Sequence, residues 1–326
     1  MSSEDPPAVD VAEMGIEAAV DAVLEADERR DRTLVRDALE RFVVDGVVSW
    51  DAVDEALPAV VQAVSTAEER TSMASFELSK VEDEADAVAD LATVEARLAD
   101  FESELSVLAD RASELRDRVD ALQDRVEAAD SLYPLAVEFR DVADEAESIE
   151  NTAMALIEAI EDLGDDLDDP EGWVRGVRRD LVAVEDTLDA LETVTDNLEA
   201  TLAGDGDDWA AEIDPAVAWF DATLRAGVVD LMVADARFEL QDLRTWADRE
   251  DADWYPDDAD DQVASLQERQ ATLATRLDDL AEGGWRERFD DRLDAFEADV
   301  AETEPPVDWR ELQVTLERYR PEDATA

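Results

Sequence analysis

Apolar and small residues recur through most of this chain at alternating steps of four and three. The first series runs Val60, Val64, Ala67, Thr71, Ala74, Leu78, Val81, Ala85 and Val88. After one extra step of three it resumes at Leu91, Val94, Leu98, Phe101, Leu105, Leu108, Ala112, Leu115, Val119, Leu122 and Val126. This spacing predicts a sustained heptad seam with one stammer near Val88–Leu91. From Leu91 to Val126 it would form a rod of roughly 54 Å at 1.5 Å per residue.

Further seams follow, each bounded by breakers. Ser131-Leu-Tyr-Pro134 interrupts the first, because proline lacks a helical donor, and Phe139, Val142, Ala146, Ile149, Ala153, Leu156, Ile160 and Leu163 form the next. Gly164-Asp-Asp-Leu-Asp-Asp169-Pro170 should end that helix, with Asp169-Pro170 as N-cap and first residue of a new one. Its seam is Val174, Val177, Leu181, Val184, Leu188, Leu191, Thr195, Leu198 and Leu202. After Gly204–Asp208, Asp214-Pro215 opens a helix with Val217, Phe220, Leu224, Val228 and Leu231. Val263, Leu266, Leu273, Leu277 and Leu280 mark another, broken at Gly283-Gly284 ahead of Trp285, Phe289, Leu293, Phe296 and Val300. Pro305-Pro306 and Asp308-x-x-Glu311 introduce a last short helix.

Ahead of the seams lies a small helical module. Asp5-Pro6 would cap a helix carrying Val9, Ile16, Val20, Val23 and Leu24, and a second helix carries Leu34, Val35, Ala38, Leu39 and Phe42. Asp45-Gly-Val-Val-Ser49-Trp50 turns the chain, with Ser49 as N-cap. It is no calcium loop: with Gly46 at position six, the first, third and twelfth positions are Arg41, Val43 and Ala52. Breaks every 30–40 residues or so favour helices folded back as antiparallel neighbours. The expected fold is all-α: an elongated bundle of long antiparallel coiled-coil helices. It divides into an N-terminal module (1–57), long coiled-coil helices (58–203) and a C-terminal helical segment (204–326).

Composition adds mainly exclusions. The chain holds 91 Asp and Glu against 28 Lys and Arg, a formal net charge of −63, and of the basic residues only Lys80 is a lysine. Histidine and cysteine are absent, which removes disulfides, thiolate nucleophiles, catalytic imidazoles and ordinary zinc sites. Direct contact with a nucleic-acid backbone needs clustered basic residues and is not expected. The apolar fraction of 46% argues against disorder despite the charge. Acidity spread through every segment, Arg in place of Lys, and small apolar residues fit life in molar salt, where screening lowers self-repulsion. The acidic N-terminus resembles no signal peptide, and no apolar run reaches bilayer length. The protein is expected to be cytoplasmic, without membrane insertion.

Candidate sites are few. Six tryptophans lie beside the predicted breaks: Trp50, Trp173, Trp209, Trp254, Trp285 and Trp309. They would staple helix ends or, alternatively, anchor a partner. The Asp clusters 165–169, 205–208 and 257–261 lack the spacing of a defined cation loop and suit caps and solvated turns. Paired carboxylates carry no information against so acidic a background, and no Gly-rich phosphate loop is present. Neither catalytic residues, a metal nor a cofactor is expected.

Asp45-Gly-Val-Val-Ser-Trp-Asp-Ala-Val53, then Val64-Ser-Thr-Ala-Glu-Glu-Arg70 and the acidic seam, resemble a group of soluble haloarchaeal proteins labelled halo transducer proteins. The likeness covers about the first 130 residues. It implies a role in sensory transduction, with helices that pass or receive a conformational signal, and brings no functional residues. The function expected is that of a non-enzymatic coiled-coil interaction or scaffold protein, possible partners being other proteins or further copies of the chain. The alternatives are an acidic nucleic-acid mimic that blocks a basic groove and a self-associating structural protein.

Overall fold

The computed structural model describes residues 6–204, 214–256, 258–281 and 283–307, together with 309, 312, 318 and 319. Helix formation begins well after the Asp5-Pro6 pair. Helix α1 spans Ile16–Ala26 and leaves Val9 outside it. The reason is a competing set of backbone bonds: Glu13 N donates to Val48 O at 2.8 Å, and Val48 N to Met14 O at 2.8 Å. Helix α2 (Arg32–Glu40) is capped by Asp31, which accepts from Thr33 N at 2.8 Å. The turn at Asp45-Gly46 then proves to be a hairpin joining β1 (Val43–Val44) to β2 (Val47–Val48). Both turn residues have positive φ, 52° and 86°, which is why Asp-Gly sits there. Ser49 caps the 3₁₀ turn Trp50–Ala52 through Asp51 N at 3.1 Å.

The expected seam from Val60 to Val126 is not one helix. Helix α3 (Val53–Ala85) stops, and α4 (Ala92–Ala128) starts after a turn. The chain reverses there, because Arg116 on α4 returns to Glu68 on α3 at 2.9 Å. Neither Gly nor Pro marks this break, and Val88 and Leu91 stay buried through it, so the stammer at Val88–Leu91 is its one mark in the apolar spacing. What stops the helix is tertiary. The free amide of Thr93, in the first turn of α4, is accepted at 2.7 Å by Asp242, far along the chain.

Helix α5 spans Leu132–Asp168. Pro134 lies in its first turn, where no donor is lost, so it begins the helix rather than interrupting one. Helix α5 ends at Asp168, inside the predicted break, and Gly164 still belongs to its last turns. This glycine sits where an added Cβ would come within 3.3 Å of Val81 Cγ2, and serves the close approach of α3. Helix α6 (Pro170–Ala203) has Asp169 as N-cap to Gly172 N at 2.9 Å and Pro170 as its first residue, as expected. Helix α7 (Pro215–Glu250) is capped by Asp214. Helices α8 (Ala259–Leu280) and α9 (Gly283–Ala301) follow, and Gly283-Gly284 opens α9. The last predicted helix, with its Asp308-x-x-Glu311 box, lies largely outside the described residues.

The fold is an all-α bundle. Its two compact units are Met1–Asp86 with Arg97–Gly164, and Ala87–Ala96 with Asp165–Ala326. They cross the segments 1–57, 58–203 and 204–326, because α3–α5 close with the N-terminal module while the α3–α4 turn joins α7. In the first unit, Arg111 on α4 bonds Glu145 on α5 at 2.9 Å, and Phe42 meets Phe139 edge-on at 5.3 Å. In the second unit α7 is central. It buries residues on several faces, from Trp219 to Trp246, against α6, α8 and α9. Arg249 on α7 also clamps Asp90 of the turn at 2.6 and 2.8 Å. No helix among the described residues is long and apolar enough to cross a membrane.

Candidate interaction surface

Because α3 turns its apolar seam inward, residues half a turn away are driven onto its outer face. Met73, Phe76 and Lys80 fall there together, at i, i+3 and i+7. Phe76 is 68% exposed and Met73 47%. Arg70 lies one turn earlier, with Nη1 at 3.6 Å from the Met73 sulfur. Lys80 pairs within its own helix with Glu77 and Glu84 at 3.7 and 4.0 Å. From Arg70 to Lys80 the sequence is RTSMASFELSK, with Glu77 its one acid. The stretch therefore carries a small positive charge on a chain of −63.

Beside this face runs an open groove of about 450 Å³, walled by Thr71, Ser72, Ser75 and Leu78 of α3 and by Leu105, Ser106 and Ala109 of α4. The α4 seam is unevenly covered along this length. Leu91, Val94, Leu108, Leu115, Val119 and Leu122 are buried, whereas Leu98, Phe101, Leu105 and Val126 are only half-buried. Val107, off the seam, is exposed. Small Ser and Ala side chains at this level leave the larger ones uncovered. Glu82 and Glu102 also meet across α3 and α4, and burial, followed by the hydrogen bond that its protonated form donates to Glu102, pushes the Glu82 carboxyl above its ordinary value.

The tryptophans lie elsewhere. Trp50 is half-buried in the N-terminal unit. Trp173 is buried and donates to Glu239. It packs edge-on against Trp246 at 6.4 Å, and Trp246 against Trp254 at 5.8 Å. Trp285 leans on Trp219 at 6.1 Å, and Trp219 donates to Leu277 O at 2.8 Å. Trp309 is partly exposed and donates to Asp235 at 2.8 Å. Trp209 lies outside the described residues. Two of these partners, Trp219 and Trp246, sit about one turn inside the two ends of α7 and were not among the six tryptophans placed beside the breaks. The signal that could have found them is α7 itself, whose apolar residues point in all directions rather than along one stripe.

The acidic clusters resolve into caps and ion pairs where they are described. Asp169 caps α6, Asp258 bonds Arg178 at 2.5 Å, and Asp260 bonds Arg244 at 2.6 Å. The cluster 205–208 lies outside the described residues, as does Asp257. Among the described residues no group of three or more Asp or Glu side chains is placed to hold a metal ion. Perturbed titrations have local causes. The Arg249 guanidinium holds Asp90 below the usual carboxylate range, Arg288 does the same for Asp214, and burial beside Asp260 pushes the Tyr255 phenol up to about 12. These groups do not share a cavity. Between α6 and α8 the charges form a ladder: Arg269 reaches Asp189 at 2.6 Å and Glu192 at 3.0 Å, and Arg276 reaches Asp196 at 2.6 Å and Glu199 at 2.8 Å.

No protein-family model, no curated protein and no solved structure matches this chain.

Proposed function

We propose that this chain is a non-enzymatic coiled-coil interaction or scaffold protein of a salt-adapted cell, and that a partner docks on the outer face of α3 and the adjoining groove. The observation that carries this reading is Phe76, 68% exposed, beside Met73 and flanked by Arg70 and Lys80. Single apolar residues on a surface are ordinary, but two together, between Arg70 and Lys80, make a patch less acidic than the faces around it. The chemistry that fits is an amphipathic helix whose acidic residues flank apolar anchors. The perturbed groups lie in separate local pairs, Asp90 with Arg249, Asp214 with Arg288, Tyr255 with Asp260 and Glu82 with Glu102, and this dispersal supports a non-enzymatic role. A place in sensory transduction rests on the resemblance of residues 45–53 and 64–70 to halo transducer proteins.

The test is capture from native extract in molar KCl by the full chain and by Phe76→Asp. A defined protein retained by the wild type and lost by the variant, at equal helical circular dichroism, is the expected result. Identical retention by both would overturn the docking face. Recovery of the chain itself as the retained species, with a dimer by light scattering, would replace scaffolding by self-association.

A further inference from the structure

The first unit brings α3, α4 and α5 together, and their coverage is one-sided. Every seam residue of α5 from Phe139 to Leu163 is buried, whereas Leu98, Phe101 and Leu105 of α4 stay half-buried. The groove between α3 and α4 explains the difference. Its exposed wall residues Ser72, Ser75, Ser106 and Ala109 are small, Leu105 lies between them, and Phe76 stands beside it, 68% exposed. Small side chains let a further helix approach closely, and the uncovered apolar groups give it something to bury.

The two ends of the groove differ in charge. At one end Arg116 Nε donates to Glu68 at 2.9 Å, a closed pair. At the other end Glu82 meets Glu102, and among the described residues no basic group is paired with either. Lys80 is occupied by Glu77 and Glu84. Two adjoining carboxylates repel unless a cation stands between them. From Glu68 to Glu82 the groove side of α3 covers about 21 Å, or four turns.

We propose that the segment docking here is a single helix of about four turns, laid in the α3–α4 groove as a fourth member of the bundle. Its apolar anchors would cover Leu105 and Phe76, and a Lys or Arg at one end would sit on Glu82 and Glu102. This rests on the docking face proposed above and names its occupant. The competing account is that a partner uses Phe76 alone and the groove stays solvated.

The probe is a synthetic alanine-based helix of about sixteen residues, with a leucine seam and one arginine in its last turn. It is labelled with fluorescein and titrated by anisotropy into the full chain in molar KCl. Saturable one-to-one binding is expected, abolished by Phe76→Asp and by Ser75→Leu, which fills the groove and leaves Phe76 in place. Exchange of the peptide's arginine for glutamine should weaken binding roughly two- to fivefold, as for an exposed ion pair, and exchange for glutamate should weaken it further. Glu82→Gln combined with Glu102→Gln should erase the difference between the arginine and glutamine peptides at unchanged helical circular dichroism. The peptide exchange needs no variant of the chain, so it stays decisive if a variant fails to fold. Binding lost in Phe76→Asp but indifferent to Ser75→Leu, or to the arginine exchange, would overturn the groove helix and leave the docking face standing. Absence of saturable binding would also overturn it. The capture experiment then separates the two readings, because a partner lost in Phe76→Asp keeps the face, whereas identical retention removes both.

Discussion

The two units bury apolar surface under the same acidic shell, but with different side chains. Along α3, α4 and α5 the core is mainly Val, Leu, Ile and Ala, with Tyr133 and Phe139 of α5 as its aromatics and no tryptophan, and every member of the α5 seam from Phe139 to Leu163 is buried. The unit that holds α6–α9 has seven of the eight tryptophans in its sequence span. Small side chains fill the space between helices only where the helices keep a constant spacing, which requires a regular heptad. A helix enclosed by three others, as α7 is, meets gaps of uneven width, and bulky rings such as Trp219, Phe220 and Trp246 fill them. Regularity and bulk are two routes to dense packing.

Salt should act on both units alike. With a charge of −63, dilution out of molar KCl lengthens the range of carboxylate repulsion from about 3 Å toward 10 Å and more. Helical circular dichroism should be lost in dilute buffer, the largest effect expected; undiminished signal there would contradict it. Single substitutions should then separate the units. Trp219→Ala leaves a large cavity and an unpaired Leu277 carbonyl, at a cost of about 3–5 kcal/mol. Because most of the tryptophans belong to the second unit, the fluorescence midpoint should fall further than the circular dichroism midpoint. Equal falls would mean that the units melt as one.

Leu156→Ala in α5 is the reciprocal change. It should cost about 2–5 kcal/mol and lower the circular dichroism midpoint more than the fluorescence one. Asp242→Ala removes the acceptor that caps α4 at Thr93. A loss of about 1 kcal/mol is expected in denaturant titrations, as for an ordinary N-cap; no loss would mean that packing and the Asp90–Arg249 pair hold the turn at residues 86–91 without the cap.

The smallest effect concerns Glu82. Its carboxyl is raised by burial and by Glu102, so the folded state holds this proton more tightly than the unfolded one. The stability it contributes is full at low pH and is lost as pH rises through the raised value. Glu82→Gln, which keeps a donor toward Glu102, should therefore raise the melting temperature slightly near neutral pH. The gain should fade as the pH drops into the ordinary carboxylate range. A variant less stable than wild type at neutral pH would reverse this account.

Legibility followed the same division. The seams of α3, α5 and α6, and the caps Asp169 and Asp214, are local patterns of residue type and spacing, and they stand in the structure where the spacing puts them. The α3–α4 reversal showed only as the stammer at Val88–Leu91 and could not be read as a turn, because its cap, Asp242, lies far away in sequence and both residues beside the break are apolar. The hairpin at Asp45-Gly46 was visible as a turn but not as strands, since two residues on each side are too few to show a period of two. The break at 164–170 was legible and holds the end of α5 at Asp168, but that Gly164 accommodates the approach of Val81 was not. The exposed Phe76 could not be told from a core aromatic until the direction of the α3 seam was known.

By itself the sequence determined the class of fold, the helix faces that turn inward and the solvent that the surface is suited to. These follow from intervals of three and four and from charge counts, which each segment carries locally. Tertiary structure alone decided which helices are neighbours, where the long seam folds back, and that Ser75 and Phe76 face a groove and open water. Those depend on groups brought together from distant parts of the chain, and no local period encodes them.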